Sequence, residues 1–195
     1  MNLEVLAGVR GLVFDCDGTL VDSMPLHMDA WENSLRRHGG SYDHGFFFSR
    51  KGMGEEEIVA QYNALFRRAL DVRTVVADKH RHFRRRLGSL KPIPQVADLA
   101  RRHEGVLPMA VVSGGKREIV LRELEVTGLR RLFRVVLTAD DPFRQKPSPD
   151  MFLEAARLLG VAPASCQAFE DGDLGLQAAS AAGMRATDVR PFLPG

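Results

Sequence analysis

The chain has 195 residues and a mass of 21.6 kDa, with 45% hydrophobic residues, enough to bury one substantial core and carry a modest insertion. Its 27 Lys and Arg against 25 Asp and Glu leave a net charge of +2, too slight to signal a nucleic-acid partner, and it lacks the run of about 18 apolar residues that a membrane span needs. With no secretion-signal pattern at the start and no metal-ligand spacing around its two cysteines, Cys16 and Cys166, it is expected to be a cytoplasmic monomer with free thiols buried in strands.

The first element predicted is a buried strand, Leu12-Val13-Phe14, running into Asp15-Cys16-Asp17-Gly18-Thr19-Leu20. Strand side chains alternate, so Asp15 and Asp17 face one way and Cys16 the other. A break follows at Asp22-Ser23-Met24-Pro25, with Ser23 as a candidate helix cap and Pro25 suited to a first turn. From residue 24 to 90 the pattern is helical. Its three apolar stripes are Leu26-Ala30-Trp31-Leu35, Ile58-Val59-Tyr62-Leu65-Phe66-Leu70 and Val72-Val75-Val76-Phe83-Leu87, each read as packing core. Lys91-Pro92-Ile93-Pro94 then reads as a hinge.

Beyond it, helix and strand patterns alternate: helix 95–103, strand 109–112, helix 116–125, strand 135–137, helix 149–159, strand 166–169, helix 174–182 and a last strand near 186–189. Such alternation predicts right-handed crossovers and a Rossmann-like parallel α/β sheet flanked by helices, with ligands at the carboxyl ends of the strands. The domains expected are an α/β core of residues 1–23 and 91–195 and a helical insert of residues 24–90.

Four places carry candidate chemistry. Asp15 and Asp17 on one side of a strand end suit a hard cation, although acids there also cap helices. Ser113-Gly114-Gly115 offers a hydroxyl and unshielded backbone N–H groups to a phosphoryl oxygen, or forms an ordinary turn before a helix. Lys146, ahead of Pro147-Ser148-Pro149-Asp150, is either an ammonium fixed at the sheet edge or a solvated one beside a helix start. Glu170-Asp171-Gly172-Asp173 brings more acids to an apolar strand end; singly they read as caps, but together they repel one another unless a cation such as magnesium sits among them.

In this order Asp15-Cys16-Asp17-Gly18-Thr19, Ser113, Lys146-Pro147-Ser148-Pro149-Asp150 and Glu170-Asp171 resemble the four motifs of the haloacid dehalogenase superfamily of phosphotransferases. The likeness runs along nearly the whole chain and is strongest to its small-helical-cap branch, which includes β-phosphoglucomutase and bacterial fructose-1-phosphate-type sugar phosphatases. Gly175-Leu176-Gln177-Ala178-Ala179 through Gly183-Met184 to Val189 extends the likeness to the phosphatases.

This resemblance implies a magnesium-dependent hydrolase of small phosphate monoesters, sugar phosphates foremost, with a hexose-phosphate mutase or a non-catalytic phosphosugar-binding protein as rivals. It implies that Asp15 is the nucleophile and Asp17 the general acid and base, with Ser113 and Lys146 on the phosphoryl oxygens and Thr19 and Gly114 beside them. Magnesium would be held by Asp15, the Asp17 carbonyl and Asp171, with Glu170 adjacent or ligating. The insert would be a cap that closes over substrate, contributing His27, Lys51 and Gly52, with Trp31 in the cap core. The mutases carry an arginine where an ungapped reading puts Glu55 here, and a carboxylate there would repel a distal phosphate. The basic run Lys79-His80-Arg81-His82-Phe83-Arg84-Arg85-Arg86 reads as a solvated helix face, partly paired with Glu55, Glu56 and Glu57, rather than as a nucleic-acid patch.

Overall fold

Five short strands, β1 (Gly11–Phe14), β2 (Met109–Val112), β3 (Val135–Leu137), β4 (Cys166–Glu170) and β5 (Arg185–Asp188), form one sheet in the computed structural model, which describes residues 3–51 and 53–193. Every pairing is parallel and the order is β3-β2-β1-β4-β5. From β1 the chain moves outward through β2 to β3, then returns to the other side of β1 for β4 and β5. The reversal lies between β1 and β4, where an open parallel sheet leaves a crevice at its carboxyl edge. The central strand, Gly-Leu-Val-Phe, is buried throughout, while the edge strand β5 is exposed to half-buried and correspondingly polar.

Four helices, α5 (Pro94–Arg102), α6 (Arg117–Val126), α7 (Asp150–Leu159) and α8 (Asp173–Ala181), connect these strands within one or two residues of the predicted positions. One core cluster joins Val13, Ala110, Val112, Leu137 and Ala168 of the sheet to Met151, Phe152, Ala155 and Ala156 of α7 and Ala178 and Ala179 of α8. Alternate strand residues serve elsewhere: Phe14 stacks on Phe169 at 4.9 Å and meets Phe133 edge-on at 5.7 Å.

The chain divides into two compact units, one running up to Asp22 and resuming at Leu90, the other spanning Ser23–Ser89. In the second unit, α1 (Met24–Arg37), α2 (His44–Phe48), α3 (Glu55–Leu65) and α4 (Val72–Arg86) pack around Trp31, Leu35, Phe46, Phe47, Val59, Tyr62 and Val75. Trp31 lies in this core, where the helical stripe puts it.

Three local expectations need correction. Ser23 stands at the N-cap of α1 but its side chain makes no capping hydrogen bond. Cys16 lies past the end of β1 rather than within a strand, although it is fully buried. The largest revision concerns α4, where Lys79 is only 1% exposed and Asp78 and His80 are also buried. Arg81, Arg84, Arg85 and Arg86 of the run are exposed as expected and the expected pairing with Glu55 is present, but that pairing takes Lys79 and His80 out of solvent, with Glu55 on α3 accepting from Lys79 and binding His80.

Candidate active site

β1 ends at Phe14, and the next residues turn at once. Leu20 and Val21 N–H both donate to the Cys16 carbonyl, at 2.9 and 3.0 Å, and Gly18 N–H donates to Val21 at 2.9 Å. Gly18 has φ +81°, a left-handed conformation that explains glycine at the bend. The predicted alternation persists through the loop. Cys16 points its thiol at Glu123 at 3.5 Å, whereas Asp15 meets Lys146 and Asp17 meets Ser113.

Four strand ends deliver the groups. Asp15 follows β1 and is pinned by its N–H to the Phe169 carbonyl of β4 at 3.0 Å. Ser113 follows β2; its hydroxyl donates to Asp17 Oδ2 at 3.5 Å and accepts from Gly115 N–H at 3.0 Å. Lys146 lies in the loop after β3, its ammonium on Asp15 Oδ1 at 2.7 Å, on Glu170 Oε1, and 5.6 Å from the Phe152 ring. Glu170 closes β4 and Asp171 follows it, accepting from the Thr19 hydroxyl at 3.3 Å. The helix-start reading that would leave Lys146 solvated fails, since its side chain is 3% exposed.

Three of these acids, Asp15, Glu170 and Asp171, are buried and offer carboxylate oxygens within 4.8 Å of one another. One ammonium, Lys146, lies against two of them. Burial foremost, then the Glu170 charge, with Asp171 and Asp17 adding to it, holds the Asp15 carboxyl well above its usual range against the pull of Lys146. Burial alone would lower the Lys146 ammonium, but Asp15 and Glu170 outweigh it and hold it above the ordinary lysine value. A cluster of hard oxygen donors with more negative than positive charge is suited to a divalent cation. Both Glu170 oxygens already have partners, Lys146 on one and Gly172 N–H at 3.0 Å on the other.

The predicted core residues Asp15, Asp17, Thr19, Ser113, Gly114, Lys146, Glu170 and Asp171 thus gather at the carboxyl edge of one sheet. His27 and Lys51 lie in the helical unit, and Gly52 lies outside the described residues. The His27 ring stacks on Phe83 at 4.1 Å and its Nδ1 is 2.8 Å from Lys79 Nζ, while Lys51 sits 4.8 Å from the Phe48 ring. Glu55 is not a bare carboxylate. Burial works against it, but Lys79 and His80 hold its carboxyl below the usual range, so the repulsion expected of it is largely offset inside its own unit.

Sequence reasoning placed Lys79 only on a solvated helix face, whereas it also lies 5.5 and 5.1 Å from the Trp31 and Phe83 rings, and it gave Gly115 a part in the Ser-Gly-Gly turn without the steric need found here. A Cβ at 115 would stand 3.0 Å from Val120, 3.2 Å from the Ser113 hydroxyl and 3.5 Å from Asp17 Oδ2. The second glycine of the Ser-Gly-Gly run was the available signal. Both thiols are inert by environment: burial, then Glu123, pushes Cys16 well up, and burial pushes Cys166 up to about 11.

Comparison with known proteins agrees with this geometry. A family model described as haloacid dehalogenase-like hydrolase matches residues 9–183. The chain is 39% identical over 181 residues to fructose-1-phosphate phosphatase YqaB of Escherichia coli (strain K12), covering 92% of this chain and 96% of that protein. It is 30% identical over 186 residues to hexitol phosphatase A of the same organism, over 89% and 80% of the two chains. Among solved structures, CbbY from Rhodobacter sphaeroides in complex with phosphate aligns with a TM-score of 0.79 at 26% identity, over 91% of this chain and 84% of that one. With four strand ends carrying the acids, hydroxyl and ammonium in their expected places, and a family match across most of its length, this chain belongs to the haloacid dehalogenase-like hydrolases.

Proposed function

We propose that the chain is a magnesium-dependent phosphatase that hydrolyses small phosphate monoesters, sugar phosphates foremost, through an aspartyl phosphate on Asp15. The observation that carries this reading is the buried Lys146 ammonium lying against Asp15 and Glu170, beside Asp171. An ammonium held there balances the charge of an arriving phosphoryl group, and the Ser113 hydroxyl and Gly114 backbone supply neutral donors to its oxygens. Asp15 attacks phosphorus as the ester P–O bond breaks, and Asp17 gives its proton to the departing oxygen. Asp17 then takes a proton from water, which cleaves the aspartyl phosphate and returns Asp15 as a carboxylate. Magnesium, held by Asp15, the Asp17 carbonyl and Asp171 with Glu170 adjacent or ligating, supplies when bound the positive charge that lets a carboxylate approach a phosphate.

The sugar-phosphate assignment is supported by the names of two relatives, a fructose-1-phosphate phosphatase and a hexitol phosphatase. His27, Lys51 and Gly52 are assigned to contacts with the leaving group, and the chain is taken to act as a cytoplasmic monomer. The test is phosphorus NMR on fructose 1-phosphate and β-glucose 1-phosphate, with magnesium and then with chelator, and with a trace of glucose 1,6-bisphosphate. Inorganic phosphate should appear without the bisphosphate and stop with chelator. Glucose 6-phosphate accumulating faster than phosphate would make the chain a mutase, and no turnover of any monoester would make it a binding protein.

A further inference from the structure

Gly175 lies in the first turn of α8, where glycine costs about 1 kcal/mol relative to alanine. Its φ is not in the left-handed region that Gly160 and Gly183 occupy, so backbone conformation does not account for it. Space does. A Cβ at 175 would stand 1.8 Å from Glu170 Oε1, 2.0 Å from its Cδ and 2.6 Å from Oε2, whereas nothing lies within 4 Å of one built at Gly160 or Gly183. The Glu170 carboxylate therefore runs through the volume that any other residue at 175 would fill. From there it accepts from Gly172 N–H and from Lys146, whose other carboxylate partner is Asp15 at 2.7 Å.

We propose that Gly175 is a positioning residue for phosphoryl transfer: by leaving room for Glu170 beneath the first turn of α8, it fixes the Lys146 ammonium against Asp15. The role in catalysis rests on the phosphatase reading; the steric chain from 175 through 170 to 146 does not. With a methyl group at 175, the Glu170 oxygen must retreat by more than an ångström, and the Lys146 ammonium loses one of its two anionic partners. Aspartate at 170 is one methylene shorter. It is too short to hold Lys146 and it also clears the methyl group of Gly175→Ala, so with Asp at 170 the methyl group has no carboxylate left to displace and the two substitutions are not additive.

The experiment compares wild type, Gly175→Ala, Glu170→Asp and the double variant in two readouts. One is the rate at which formaldehyde and cyanoborohydride methylate Lys146, followed by peptide mass spectrometry; the other is kcat and KM for phosphate release from fructose 1-phosphate. Gly175→Ala should label Lys146 about 10-fold faster, as expected for loss of one charge-assisted hydrogen bond. It should also lower kcat about 100-fold, the scale of a displacement near 1 Å. Each single variant should be impaired, and the double variant should match Glu170→Asp in kcat and in labelling to within about 3-fold, because the methyl group acts only through Glu170. Wild-type labelling and kcat in Gly175→Ala, or a double variant in which the two single effects multiply, would overturn the proposal. Should Gly175→Ala fail to fold, Glu170→Gln leaves α8 untouched and must by itself unmask Lys146; unchanged labelling there overturns it equally. A wild type that turns over no monoester yet shows the expected labelling contrast would sink the phosphatase reading and leave the positioning role standing.

Discussion

Asp15 is a carboxylate placed where a carboxylate is hard to keep ionised. Its pKa is raised in the folded state, so folding is favoured by its proton at acid pH, and that contribution is lost as pH rises from the ordinary carboxylate range through the folded value. Above that range, without a cation, the charge on Asp15 therefore opposes folding. Asp15→Asn should abolish phosphate release while raising Tm in chelator, by about 2–4 °C for each kcal/mol relieved, because Lys146 keeps Glu170 as a partner. Calorimetry beside the phosphate assay checks both halves, and turnover by the folded variant would remove Asp15 as nucleophile. Asp17→Asn should slow hydrolysis about 100-fold or more, the usual worth of a general acid-base group; an unchanged rate on a substrate with a poor leaving group would take Asp17 out of the reaction. These acids were legible in the sequence because four motifs in order resemble those of the family; singly, each acid also reads as a helix cap. Gly175 was not, since its need for space arises only from the path that Glu170 takes in three dimensions.

Helix α4 shows what periodicity conveys and what it conceals. Val75, Val76 and Phe83 were readable as an inward stripe, but a run of cations from Lys79 to Arg86 does not reveal which of them is buried. Lys79 is buried because Glu55, on another helix, supplies the opposite charge; the sequence offered Glu55 as one of three possible partners but not which cation it would draw inside. Glu55→Gln should destabilise the helical unit by about 2 kcal/mol, below the 3–5 kcal/mol of a fully buried broken pair because Glu55 keeps 27% side-chain exposure. Its depressed pKa means that the stabilisation is present above the ordinary carboxylate range and is lost as pH falls through that range toward the low folded value. The gap between wild type and variant should therefore close on the acid side. Trp31, the single tryptophan and part of this core, makes denaturant unfolding followed by its fluorescence the measurement, and a gap that widened in acid would exclude the pair as its source. Helix α2 falls inside the stretch read as helical but in none of its three stripes, because five residues are too few for a helical period; it is held by Phe46 and Phe47 against Tyr62.

Over the whole molecule, helix-strand alternation predicted a parallel sheet but not that β4 returns beside β1. That return puts Asp171 beside Asp15, and it ties cation affinity to folding, because the unfolded chain holds these acids far apart. Magnesium at 100 times its Kd should stabilise the wild type by about 2.7 kcal/mol, a Tm rise of about 5–11 °C. Asp171→Asn should show much less; an equal rise would place the cation elsewhere. The chain leaves the α/β unit after Asp22 and resumes it at Leu90, and these two ends are stitched together, with Asp22 N–H donating to the Lys91 carbonyl at 3.0 Å and Val21 bridging Pro92. To the sheet, the whole helical unit is therefore equivalent to a single tight turn. Because closing a longer loop costs only logarithmically more, the region can be shortened, enlarged or exchanged for an unrelated segment without asking β1 or α5 to move.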